Sequence, residues 1–167
     1  MKKALVVSAV VLFASLPGSS AHADQAADRE AINALMWHYA RALDTLNANA
    51  YVALYTADGE FSAGGTAVKG RDALRQMIED LKAGRAERAA SGTASPAMYH
   101  MTTDTWTEFI DEAHARHHTY WMTVFGPAEE GGAPRVAAAG RGVDDLVKVD
   151  GRWLIRRRDV APQQEEE

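Results

Sequence analysis

The stretch "HYARALD" (38–44) sets a phenol, Tyr39, and a carboxylate, Asp44, five residues apart at the end of an amphipathic run. A phenol can donate a hydrogen bond to a substrate oxygen, and a carboxylate can serve as a base or orient one. Five helical residues turn the chain by about 500°, so the two side chains stand roughly 140° apart. Tyr39 falls on the apolar stripe and Asp44 off it, unless the last turn frays and lets the carboxylate point inward. The competing readings are a packed ring and an Asp that caps the next helix. A second cluster, "HARHH" (114–118), suggests a metal. Strand alternation puts His114 and His118 on one face and His117 on the other, so at most two would converge, fewer than a zinc site takes. No metal is expected there; His117 or His118 could instead line a pocket, with Tyr120 or Trp121 beside it. In "RRR" (156–158) alternate members face opposite ways, so one is a solvated charge and another could anchor an anionic group. The chain holds no G-x-S-x-G, P-loop or G-x-G-x-x-G, so nucleophilic serine chemistry and nucleotide binding have no support, and no cofactor is expected.

These residues need elements to hold them. Ile32, Leu35, Met36, Tyr39 and Leu43 recur at helical spacing and predict a helix over 28–43, capped by Asp24 or Asp28. "NAN" (47–49) breaks it, and a shorter helix turns Tyr51, Leu54 and Tyr55 inward. "ADGEFSAGGTAVKG" reads as a small hairpin with turns at Asp58-Gly59 and Gly64-Gly65. Leu74, Met77, Ile78 and Leu81 predict a third helix from Arg71 to about Lys82. The small, polar "AGRAERAASGTASPA" then reads as a flexible loop, a possible lid. From Met98 the period changes to that of strands, rich in Thr and aromatics. Four long strands are expected, the last two joined at Asp150-Gly151. On the first of them, parity puts His100 on one face with Met98, Thr102, Asp104 and Trp106. Helices first and antiparallel strands after give an α+β fold: a curved mixed or antiparallel sheet wrapped around the N-terminal helices, with an apolar cone between them as the pocket.

Composition sets outer limits. With 167 residues the chain can bury one real core. Lys2 and Lys3, the apolar run Ala4 to Leu16, and Ala21-His22-Ala23 read as a signal peptide over 1–23, too short to span a membrane. A single domain over 24–162 and an acidic tail, 163–167, would follow. The mature protein would be periplasmic or secreted. There is no cysteine, which removes thiol nucleophiles and Cys-based metal sites. The formal charge is −5, and cleavage after Ala23 makes it more negative by removing both lysines. An acidic chain with no basic stripe is a poor partner for nucleic acid or for an anionic membrane after signal cleavage.

In order and spacing, "REAINALMWHYARALDTLNANAYVALYTADGEF", "VKGRDALRQMI", "YHMTTDTW" and "AAGRGVDDLVKVDGRWLIRRRDV" resemble the SnoaL-like domains of the nuclear-transport-factor-2-like superfamily, relatives of scytalone dehydratase, bile-acid dehydratase and ketosteroid isomerase. The resemblance covers roughly Asp28 to Val160. It implies a cone-shaped, cystatin-like α+β barrel. It also implies an Asp–His dyad, with Asp44 ending the first helix and His100 opening the strand after the third. Tyr39 matches a Tyr that bile-acid dehydratases carry five residues before the Asp. A cationic residue late in the chain is implied too, with Arg141, Arg157 and Arg158 as candidates; the residue pattern itself, not the resemblance, offers Trp121, Tyr55 and His118 as further candidate substrate contacts. The implied activity is that of a lyase of the dehydratase type, with His100 as general base and Asp44 fixing its tautomer, acting without cofactor on a hydrophobic ring compound such as a steroid or polyketide. The alternatives are an isomerase of the ketosteroid type and a non-catalytic exported binding or assembly module. The family's habit of pairing sheets, and the apolar content on both faces of strands 98–110 and 114–125, predict a homodimer.

Overall fold

The structure, a computed structural model, describes the backbone of residues 18–93 and 95–162 and side chains from residue 24 onward. Most of the expected signal peptide and all of the acidic tail lie outside the described residues. Helix α1 (Gly18–Asp44) is followed by a short α2 (Ala48–Val52), strands β1 (Tyr55–Ala63) and β2 (Thr66–Lys69), and helix α3 (Arg71–Ala90). Then come β3 (Met98–Phe109), β4 (His114–Phe125), β5 (Arg135–Val149) and β6 (Arg152–Asp159). The strands form one sheet in the order β2-β1-β6-β5-β4-β3. Every pairing is antiparallel except β1 with β6, which is parallel. The sheet does not close into the implied barrel: β2 and β3 are free edges, and the helices cover one face.

The apolar stripe of α1 is the core's spine. Ile32, Leu35, Met36, Tyr39 and Leu43 are all buried, against Leu74 and Ile78 of α3 and Ala115, Leu146, Trp153 and Ile155 of the sheet. Each such side chain contributes on the order of 1.5–3 kcal/mol by leaving water. Asp28 lies within α1 rather than capping it, and its Oδ1 accepts from Lys148 Nζ at 2.6 Å and from Trp153 Nε1 at 2.9 Å, clamping the helix to β5 and β6. After Asp44 the helix unwinds through Leu46, which takes a left-handed φ of 50°. Asn47, not Asp44, caps α2, its side chain accepting from Ala50 N at 3.0 Å.

Three expectations need correction. Asp58-Gly59 is not a turn: β1 runs straight through it, with a bulge between Tyr55 and Glu60, and a Cβ on Gly59 would sit 2.8 Å from that of Tyr55. Gly64 and Gly65 do turn the chain, both at positive φ, as do Asp150 and Gly151. Secondly, α3 continues to Ala90, so the first half of the supposed loop is helix. Its Ala, Arg and Glu residues are good helix formers, and they outweigh Gly84. Thirdly, β3 bulges between Thr103 and Trp106, with Asp104 at φ 48°. A bulge adds one residue to one strand and so reverses parity beyond it. Met98, His100 and Thr102 face the helices as expected, but Trp106 turns to the outer face, where it stacks on His118 at 5.0 Å between ring centroids.

Candidate active site

Between α1, α3 and the inner face of the sheet lies a cavity of about 490 Å³. Its walls are mainly apolar, from Leu43, Leu46, Phe61, Met77, Met98 and Phe125 among others. Tyr39, Tyr51 and His100 are its inner polar groups. The fraying of α1 delivers Asp44 to the start of β3. Its Oδ1 accepts from His100 backbone N and contacts His100 Nδ1, each at 2.8 Å. The carboxylate therefore grips the strand and the ring together. With Asp44 ionised, the proton sits on Nδ1 and Nε2 keeps its lone pair. Asp44 is 9% exposed and His100 19%, so the pair is shielded but reachable. Arg41 Nη1 stands 3.9 Å from the other Asp44 oxygen, at the surface.

Tyr39 lines the same cavity while its ring packs 5.5 Å from that of Tyr51. Tyr51 Oη and Tyr55 Oη are bonded at 2.9 Å. Burial raises both phenols well above the usual tyrosine pKa, with neighbouring Tyr39 adding to the effect, so both are neutral donors near pH 7. Tyr55 itself is fully buried behind Tyr51 and does not reach the cavity.

The remaining sequence-predicted contacts lie elsewhere. Trp121 shares the inner face, but its indole lies across β5, donating to the carbonyls of Arg141 and Val160 at 3.0 Å each. Gly140 and Gly142 make that possible, since a Cβ on either would meet an atom of β4 at 2.9 Å, the indole for Gly140 and Thr119 Oγ1 for Gly142. His118 and Arg141 are on strand positions that face away from the helices, and Arg157 is tied to Glu60 and Asp159 outside the core. None of the four lines the cavity. The bulge at Arg156 turns Arg156 and Arg157 outward in succession and Arg158 inward. Arg158, 2% exposed, is the late arginine that reaches the core: its guanidinium lies 4.2 Å from the Tyr39 ring centroid and binds Asp144 Oδ2 at 2.6 Å. His114 pairs with Asp111, and His117 with Thr107 Oγ1 at 2.8 Å. Among the described residues no three metal-ligating side chains converge.

Sequence reading missed Asp144 and three arginines at the cavity's mouth, Arg85, Arg88 and Arg135. For two of them a signal existed. Leu74, Ile78, Leu81, Arg85 and Arg88 follow one another at three- and four-residue steps, one helical face whose chemistry changes from apolar to cationic.

An open mixed sheet over N-terminal helices, with the cavity between them, is the cystatin-like fold of nuclear-transport-factor-2-like proteins. Within that class, residues 24–159 match the SnoaL-like domain, and the chain belongs to this family. It is similar to a nuclear-transport-factor-2-like protein with a cystatin-like fold from Novosphingobium aromaticivorans, with 20% identity, TM-score 0.71 and coverage of 91% of this chain and 92% of that one. A protein from the same organism named for scytalone dehydratase shares 22% identity at TM-score 0.65, covering 87% and 99% of the two chains. LinA shares 18% at TM-score 0.66, covering 83% and 87%. No curated protein matches the chain by sequence.

Proposed function

We propose that the protein is a cofactor-independent lyase of the dehydratase type acting on a hydrophobic ring compound such as a steroid or polyketide. The observation that carries this reading is the Asp44–His100 contact at 2.8 Å on the wall of a largely apolar cavity. His100 Nε2 takes a proton from a carbon beside a carbonyl. The C–H electrons form the new double bond as the C–O bond opposite breaks. The departing oxygen takes that proton from the imidazolium, directly or relayed through the Tyr39 hydroxyl, and leaves as water. Asp44 holds the productive tautomer and balances the charge on His100. The name of the scytalone dehydratase neighbour is consistent with small-molecule conversion. The bonded Tyr51–Tyr55 pair favours a second reading, an isomerase: the neutral Tyr51 phenol at the inner wall, backed by Tyr55, would stabilise an enolate oxygen while the same proton returns to another carbon.

The test begins with a panel of hydroxylated and keto ring compounds, selected by thermal shift and followed for loss of water by mass spectrometry. For a converted compound, His100→Ala should lower kcat by about 10²–10⁴-fold, the usual contribution of a general base. Asp44→Asn should slow it less, and the double variant should be hardly worse than His100→Ala, because the two act as one unit. Full activity in His100→Ala would end the proposal; binding without any turnover across the panel would favour the binding module.

Two features of the whole molecule belong to the same reading. We propose a homodimer through the outer face of the sheet, where Tyr99, Met101, Trp106, Tyr120 and Val136 are 48–61% exposed. A monomer by light scattering at micromolar concentration would refute it. We propose export with cleavage after Ala23, which would leave α1 starting at Asp24. N-terminal sequencing of the protein from its host decides this, and a retained Met1 refutes it. Among the described residues no helix is long and apolar enough to cross a membrane.

A further inference from the structure

The charge around the cavity runs against that of the protein. The chain carries −5, yet among the described residues the lining contains Arg85, Arg88 and Arg135 and no carboxylate. Arg85 already donates to the carbonyls of Ser95 and Pro96 at 3.1 and 2.9 Å, tying down the segment that leads into β3. Arg88 and Arg135 are exposed, and among the described residues neither forms an ion pair. The guanidinium carbon of Arg135 lies over the Phe125 ring, 5.3 Å from its centroid, so its charge is held against an apolar wall. Unpaired arginines beside an apolar surface attract a single planar or tetrahedral anion.

The register fixes where that anion would lie relative to the dyad. Met98, Phe125 and Arg135 are cross-strand partners in one row over β3, β4 and β5, and all three line the cavity. His100 is two residues further along β3. Two residues of strand give about 7 Å, and two strand spacings about 9.5 Å, so the backbone positions of His100 and Arg135 are about 12 Å apart. Such a distance accommodates a body of two or three fused rings between the proton-transfer end and the cationic mouth. From this arrangement we infer that the substrate is amphipathic: an apolar ring body that reacts at His100 and carries an anionic group, a carboxylate or a sulfate, at the far end, held by Arg88 and Arg135.

This deepens the enzymatic reading, and its test requires no turnover. Anilinonaphthalene sulfonate and phenylnaphthylamine are fluorescent probes that differ only by the sulfonate. The full chain should bind the sulfonate at least about tenfold more tightly, and the difference should shrink as salt rises from about 0.05 to about 0.5 M, as screening shortens the reach of exposed charges. In the Arg88→Gln, Arg135→Gln double variant the sulfonate should weaken by about tenfold while the neutral probe stays within about twofold, which also reports an intact cavity. Equal affinity for the two probes in the wild type, or a preference that survives the double substitution, overturns the inference. His100→Ala separates the two proposals. A preference kept in that variant supports the anion site whatever becomes of the lyase reading. Turnover lost in it, without any wild-type preference, upholds the lyase and discards the anion site.

Discussion

Two carboxylates, Asp44 from the end of α1 and Asp144 from β5, each pair with a basic residue of the same sheet, and the pairs differ in access rather than in contact distance. Asp44 meets His100 at 2.8 Å and Asp144 meets Arg158 at 2.6 Å. The first pair is partly exposed and opens on the cavity; the second is closed off, with Asp144 at 0% and Arg158 at 2%. Around the second pair Asp144 Oδ1, Arg158 Nε, His117 Nε2 and Thr119 Oγ1 have no hydrogen-bond partner among the described residues. Burial pushes Asp144 up to about 6 despite the adjoining guanidinium. Burial, with the Arg158 charge second, pushes His117 down to about 4. Burial is the largest single influence on Arg158 and acts downward, but the Asp144 carboxylate together with Tyr39 and Tyr55 outweighs it, and its pKa goes up. A closed pair of this kind adds little net stability, yet removing one partner strands a charge in low dielectric. It fixes how β5, β6 and α1 meet. The open pair can exchange protons with something in the cavity. Tyr39 joins the two: Arg158 lies over its ring, and the residue also lines the cavity.

The sharpest way to break this comparison is to damage each pair and compare stability. Arg158→Leu should cost about 3–5 kcal/mol in urea unfolding by leaving Asp144 buried alone, whereas His100→Ala should cost about 1 kcal/mol. Equal costs would make the open pair structural as well.

A smaller effect is expected from pH. His117 has a folded pKa of about 4 against an ordinary 6.5, so its unfolded form binds the proton more readily. Its contribution to stability is full above pH 6.5 and is lost as pH falls toward 4, by up to about 3 kcal/mol. Asp144, with its pKa raised to about 6, works in the opposite sense: its contribution is present at low pH and fades as pH rises through 6. The two offset each other between pH 4 and 6. Replacing His117 by Gln should unmask Asp144, so the advantage of wild type over His117→Gln, read from unfolding curves, should grow as pH rises from 4 to 6.5. An advantage independent of pH would show that His117 is not held neutral by burial.

The smallest change is expected at the surface. Arg41→Gln removes the exposed partner of Asp44 at 3.9 Å and should alter stability by no more than about 0.5 kcal/mol. A tenfold fall in turnover there would extend the open site to the protein's outside.

Much of this was legible from local pattern. The stripe of Ile32, Leu35, Met36, Tyr39 and Leu43, the change to strand period at Met98, and the Asp150-Gly151 turn all appear as read, because each depends on neighbours within a few residues. The meeting of Asp44 and His100 was legible only through family resemblance, since 56 residues separate them. Strand faces were legible only up to the first bulge. Alternation was right for His100 and Thr102 and wrong for Trp106, and the same kind of irregularity at Arg156 sent Arg157 outward and Arg158 inward.

The sequence by itself determined the order of elements, the burial of the first helix, and the residue types from which a proton-transfer pair could be drawn. Their cause is short-range: side-chain periodicity, turn propensity and the absence of competing chemistry such as thiols. Only the tertiary structure decided which arginine is buried, which ones ring the cavity, and which of two carboxylates has access to a ligand. Those outcomes depend on bulge positions, on where a helix stops, and on which strands become neighbours, and each is settled by packing between segments remote in the chain.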